Sequence, residues 1–186
     1  MSFSLRHILL LVGIAAVILS FLFFGRDTRS YDVILLSGLC LSVVAYLWIL
    51  IKDSGRNRII WTLVVVAGIG LQWLTEPLMI RLSYLYFLKQ NETDLSKVNQ
   101  ILINKGIHTI WVQDANLWQR HYLTAEEGMT IKNLVEDKHI SSIERDSVKI
   151  YYRTFGMLDV SHGLFYFYTS VKPDNRFKHL SGNWYY

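Results

Sequence analysis

Residues 33–51 read VILLSGLCLSVVAYLWILI, a run of 19 residues without a single charge. An α-helix rises about 1.5 Å per residue, so this run covers roughly the 30 Å of hydrocarbon in a bilayer. Backbone amides and carbonyls in lipid must pair within their own segment, which for an isolated run means a helix. Two further runs flank it: ILLLVGIAAVILSFLFF at 8–24, and IIWTLVVVAGIGLQWLT at 59–75, uncharged until Glu76 and Pro77. The sequence therefore predicts an α-helical membrane domain over 1–80, with three transmembrane helices at about 8–24, 33–51 and 59–80. Beyond residue 80 the uncharged runs stop, and a membrane-proximal helix followed by a soluble α+β domain is expected over 81–186.

Composition agrees with that division. Of 186 residues, 52% are hydrophobic and 18% charged, too apolar for an ordinary soluble domain and far from disordered or collagen-like chains. The single cysteine, Cys40, lies inside the second run, so neither an intrachain disulfide nor a thiolate for the tail is available. Basic and acidic residues number 19 and 15, split as 6 and 4 up to residue 80 and 13 and 11 after it. An excess of two charges over the tail is too weak a field to suggest nucleic acid.

The first run also has the apolar character of a secretory signal, but Phe21, Phe23 and Phe24 stand where a signal peptidase requires small side chains, and an uncleaved helix is expected. Short connections make neighbouring helices antiparallel. Asp32 is placed to cap the second helix, and Asp53-Ser54-Gly55 offers a turn after it. Trp48 and Trp61 flank that turn, and Tyr31 and Trp73 lie toward the opposite face, as in an aromatic belt. Arg6, Lys52, Arg56 and Arg58 share one side; Arg26, Arg29, Arg81 and Lys89 belong to the other. The tight cluster at 52–58 favours a cytoplasmic amino terminus and a tail outside the cytoplasm, in a multi-pass cell-membrane protein. Gly38, Ser42 and Ala45 share a face of the second helix, and Ala67, Gly68 and Gly70 cluster in the third. Helix packing explains both groups, and a homo-oligomer through these small-residue faces is the alternative. Gln72 and Glu76 form a candidate polar site at the membrane face, with Glu76 about 26 Å along its helix and close to the far interface. Pro77 marks an expected boundary or kink.

In the tail, LMIRLSYLYFL at 78–88 is too polar for another span and too apolar for a free linker. It is expected to continue helically, along the membrane surface or on top of the third span; Leu78, Leu82 and Leu85 share a stripe, Arg81 and Lys89 can reach headgroups, and lipid contact and packing on the tail are equal readings. Asn91 or Thr93 is expected to cap a helix over 94–105, ended by Gly106 in the left-handed conformation. A strand at 108–113, a turn at 114–116 and a helix from the capping box Thr124-Ala125-Glu126-Glu127 to about 139 follow. Period-two segments at 141–144, 148–155, 164–170 and 177–186 then predict a mostly antiparallel sheet.

The chemistry is sparse. His108, His121, His139, His162 and His179 show no ligand spacing, so no metal is expected, nor any cofactor. Ser161-His162 beside Asp159 reads as a turn rather than a nucleophile and its base. Lys172, Arg176, Lys178 and His179 form a basic cluster read as a solvated loop within reach of lipid phosphates. Asn91-Glu92-Thr93 matches an N-glycosylation acceptor, which helix capping explains equally. Rings fill the strands on both faces, and Tyr151, Tyr166, Tyr168, Trp184 and Tyr185 are the candidate binding surface, the alternative being that the two helices and the membrane-proximal segment cover the second face. The expected function is a non-catalytic α+β domain presented at a membrane for a protein partner or for assembly of a membrane complex, with the lipid bilayer its first partner and nucleic acid not among them. The alternatives are a membrane enzyme or transporter with a site around Glu76, or a sensor whose tail binds a ligand.

Overall fold

A computed structural model describes residues 4–24, 28–111, 123–137, 140–154, 162–171 and 173–186. The turn expected at 114–116, the end of the strand at 112–113, His121, His139, Asp159, Ser161 and Lys172 lie outside them. The chain forms two compact units, 1–24 with 29–80 and, from Arg81, the remainder, each with its own core.

The first unit contains α1 (Leu5–Ser20), extended by a 3-10 turn at Phe21–Phe23, then α2 (Thr28–Lys52) and the beginning of α3 (Gly55–Asn104). All three helices are long and apolar enough to cross a membrane. Leu10, Ala45, Ile49 and Trp61 form its buried centre, joined by Leu9, Ile14, Tyr46, Val64 and Val65. Small residues set the closeness of α1 and α2. A Cβ on Gly13 would stand 2.8 Å from the Ser42 amide nitrogen and 2.9 Å from the Gly38 carbonyl oxygen. One on Gly38 would stand 3.0 Å from Ala16 Cβ and from Val17 N. The Gly38 and Ser42 face thus packs against α1 within this chain. Gly68 of α3 meets Ile14, whereas Gly70 has open space beside it.

Three local expectations change. Asp32 lies inside α2, which begins at Thr28, because helix length is not bounded by the apolar run. The aromatic belt is only half realised: Trp48 and Trp73 are exposed, but Tyr31 is buried in edge-on contact with Phe21 and Phe24, and Trp61 is buried. Most consequentially, α3 runs unbroken from Gly55 to Asn104 with Pro77 inside it. A proline removes one amide from the helical ladder and crowds the preceding turn without forbidding continuation. Here Thr75, two residues before the proline, donates from Oγ1 to the carbonyls of Leu71 (2.8 Å) and Gln72 (3.3 Å). No separate helix begins near Asp94. Asn91, expected as a cap, instead donates from Nδ2 to the Phe87 carbonyl at 2.7 Å.

The second unit is built on the far half of α3. Tyr84, Phe87, Leu88, Leu95, Val98 and Leu102 make its buried stripe. The helix ends as expected at Gly106, φ +66°, with Ile107 N–H donating to the Leu102 carbonyl at 3.1 Å and Gly106 N–H to that of Ile103 at 3.4 Å. Strands β1 (Thr109–Trp111), β2 (Ile140–Arg145), β3 (Lys149–Thr154), β4 (His162–Phe167), β5 (His179–Ser181) and β6 (Trp184–Tyr185) form one sheet in the order β1-β2-β3-β4-β6-β5, every pairing antiparallel. The last expected strand is two short ones, folded at Gly182 with φ +53°. Helix α4 (Ala125–Asp137) opens on the expected capping box: Thr124 N–H donates to Glu127 Oε2 at 2.7 Å and Glu127 N–H to Thr124 Oγ1 at 3.2 Å.

Candidate functional site

The register sorts the tail's rings onto two faces. Ile110, Ile143, Ile150, Tyr152, Leu164 and Trp184 are buried on the face that receives α3. Two polar ties fix that face. The Tyr152 hydroxyl donates to Asn99 Oδ1 at 2.7 Å in a buried setting, and Arg145 Nη1 donates to the Leu102 carbonyl at the helix end, 2.7 Å. Burial pushes the Tyr152 hydroxyl well above its ordinary pKa, with the neighbouring Tyr166 adding to the shift, so it keeps the proton that it donates to Asn99.

The opposite face carries a row of rings at matched register across four strands: Tyr151, Phe165, Tyr185 and His179. Tyr151 stacks on Phe165 at 4.5 Å, and Tyr185 meets His179 at 5.1 Å. Phe177, from the segment before β5, lies edge-on to Phe165 (4.8 Å) and Phe167 (5.3 Å). Cations border the row, with Lys149 over Phe177 and Arg153 over Tyr151. Tyr151 can lie flat because Gly163 stands opposite Arg153: a Cβ there would clash with the Tyr152 carbonyl and sit 2.5 Å from the Tyr151 ring. Trp111 continues this face at its β1 end and is half exposed.

Of the five ring residues singled out in the sequence, only Tyr151 and Tyr185 share the outer face. Trp184 and Tyr166 are in contact at 4.9 Å on the helix-bearing face, with Trp184 buried. Tyr168 lies under Arg145, its hydroxyl donating to the Asp146 carbonyl. Phe165, Phe177 and His179 belong to the outer row instead, and counting alternate positions along each strand would have found Phe165.

In the first unit, Gln72 lines an apolar cleft of about 220 Å³ between the three helices, together with Leu10, Ile14, Leu39, Ser42, Tyr46 and Gly68. Glu76 is half-buried and does not line it. Toward the other end of this unit stands a polar cluster that sequence reasoning passed over. Asp53, read only as a turn residue, has a fully buried side chain. Its Oδ1 is 2.5 Å from Arg6 Nη2 and its Oδ2 2.9 Å from His7 Nε2. The Ser4 amide donates to His7 Nδ1 at 3.2 Å. The imidazole stacks on Trp61 at 4.4 Å, and Arg58 Nε donates to the Asp53 carbonyl at 2.8 Å. The clue was Asp53 itself, one acid among the cations that antiparallel helices bring to the same end.

Among the described residues no group of three or more histidine, cysteine or acidic side chains is placed to hold a metal. Fold and surfaces together define a helical membrane unit carrying an antiparallel α+β domain. No known family, curated protein or solved structure matches this chain.

Proposed function

We propose that the chain is a multi-pass cell-membrane protein that presents its α+β domain outside the cytoplasm to a protein partner, as a binding and assembly module rather than an enzyme. The supporting observation is the outer row of Tyr151, Phe165, Tyr185 and His179, set on the sheet face opposite α3 and bordered by Lys149 and Arg153. Rings with polar tips bury area at little entropic cost, which is why they concentrate at protein interfaces. The proposed sidedness rests on Arg6, Lys52, Arg56 and Arg58, which antiparallel helices bring to one end.

Compartment-sensitive reporters after Tyr186 and in the 52–58 loop test the sidedness, the first being active only outside the cytoplasm. A photocrosslinker replacing Tyr151 should give a discrete protein adduct in cells, and one replacing Lys132 on α4 should not. Equal behaviour of the two positions overturns the binding-face reading.

A second reading is favoured by one observation, the presence of Gln72 in the cleft of the helical unit. There the chain handles a ligand at membrane depth, as a transporter or membrane enzyme would. Gln72→Leu removes the activity under that reading and leaves partner crosslinking untouched under the first.

A further inference from the structure

The exposed side of α3 changes character abruptly as the helix enters the second unit. Leu82 and Tyr86 are 44% and 49% exposed, two of the few large apolar side chains that the described tail turns to solvent. From Lys89 to Gln100 every exposed position is polar: Lys89, Gln90, Glu92, Thr93, Asp94, Ser96, Lys97 and Gln100. The opposite side, with Tyr84, Phe87 and Leu88, is buried. From Ile59 to Tyr86 the helix measures about 40 Å, more than the roughly 30 Å of hydrocarbon and close to the full bilayer with its headgroups. The switch between Tyr86 and Lys89 is therefore where a waterline would fall.

The sheet adds cations at the same level. Lys178 exchanges both backbone hydrogen bonds with Tyr186, 3.0 Å each, and its ammonium stands 5.9 Å from that ring. Tyr186 in turn lies 5.5 Å from Tyr84, about one helical turn past Arg81, whose charge acts on the Tyr186 hydroxyl. Folding thus brings Lys178, remote in sequence, beside the root of the tail helix. Arg81, Lys89 and Lys178 are exposed and have no carboxylate within ion-pair distance among the described residues.

We infer that the root of the α+β domain is an anionic-phospholipid site: Leu82 and Tyr86 enter the headgroup layer, and Arg81, Lys89 and Lys178 hold lipid phosphates around them. The apolar stripe continues the transmembrane segment of the same helix, and the three cations are complementary to lipid phosphates in whichever leaflet the root meets. The site is independent of the partner face proposed above.

The test uses the full chain, with Cys40→Ser as background, reconstituted in vesicles of phosphatidylcholine with or without phosphatidylglycerol. An environment-sensitive dye on a cysteine at position 82 or 86 should be quenched by headgroup-attached nitroxide lipid, and one at position 100 only by a water-soluble quencher. Phosphatidylglycerol should be enriched around the protein, and Arg81→Gln, Lys89→Gln and Lys178→Gln should each lower that enrichment on the order of fivefold. Dyes at 82 and 86 that behave like the one at 100 overturn the proposal. So does undiminished enrichment around the triple variant with an unchanged melting curve, and so does a protein adduct that shields position 82 in cells while lipid quenching is absent.

Discussion

His7 Nε2 lies 2.9 Å from Asp53 Oδ2, a bond that joins the first turn of α1 to the residue following α2 across 46 positions of sequence. With the bond between the Tyr46 hydroxyl and Thr62 Oγ1, 2.9 Å, which joins α2 to α3, it adds fixed polar ties to helices packed mainly by apolar contact.

Removing the carboxylate leaves Arg6 without its counter-charge, whereas His7→Phe keeps the stack on Trp61 and loses the polar contacts of the ring nitrogens. Asp53→Asn should therefore lower the melting midpoint in detergent more than His7→Phe, whose cost is about 1–3 kcal/mol. Burial alone would raise the Asp53 pKa, but hydrogen bonds and charge from His7 and Arg6 outweigh it and hold the carboxyl below its usual range. A carboxyl depressed on folding stabilises above the ordinary carboxylate range and loses that contribution as pH falls through its folded value. Acid titration of thermal stability should show a limb below about pH 4 that Asp53→Asn flattens.

Gly13 and Gly70 make a matched pair of tests for helix packing. A Cβ at Gly13 meets backbone atoms of Ser42 and Gly38, while one at Gly70 meets nothing within 4 Å. Gly13→Ala should cost about 1–3 kcal/mol by forcing α1 and α2 apart. Gly70→Ala should be neutral or gain up to about 1 kcal/mol in helix propensity. Equal melting shifts for the two variants would show that the α1–α2 approach is not what holds the unit.

Pro77 shows where sequence reading stopped. Hydropathy placed the three helices because lipid allows a long apolar run few alternatives, and period-two alternation placed the sheet because each strand has one face on a core. Helix ends are set by smaller energies. The proline allowed either a boundary or a kink, and the boundary is excluded because the stripe of Leu88, Leu95, Val98 and Leu102 packs on the sheet and carries the helix through. The Asp53 cluster was illegible for a related reason, since it depends on which residues of distant helices share a level. Because the helix already passes through residue 77, Pro77→Ala should restore one backbone hydrogen bond and leave stability unchanged or raised by up to about 3 kcal/mol. Loss of stability in that variant would show the proline to be required.

Tyr151 and Tyr152 are adjacent in β3 and point to opposite faces, so the same substitution separates their roles. Tyr152→Phe strands a buried Asn99 Oδ1 and should cost about 1–3 kcal/mol, read as a lower denaturation midpoint. Tyr151→Phe keeps its stack on Phe165 and should stay within about 0.5 kcal/mol of the parent. The order of the two midpoints checks the register, because a slip of one residue would reverse it.

Asp146 organises the β2–β3 hairpin by accepting the amides of Val148 and Lys149 on Oδ1, at 2.7 and 2.8 Å, while Lys149 Nζ approaches Oδ2 at 3.0 Å. Partial burial alone would raise its pKa, but these amides and the ammonium hold it below the usual carboxylate range. The hairpin is thus supported above that range, and the support fades as pH falls through the depressed folded value. Amide exchange at Val148 and Lys149, corrected for the intrinsic rate at each pH, should show protection that is flat near neutrality and falls under acid. Asp146→Ala should show the low protection at every pH, with a global cost of about 1 kcal/mol. A pH-independent profile in the parent would mean that the turn is held by the β2–β3 ladder alone and not by its carboxylate.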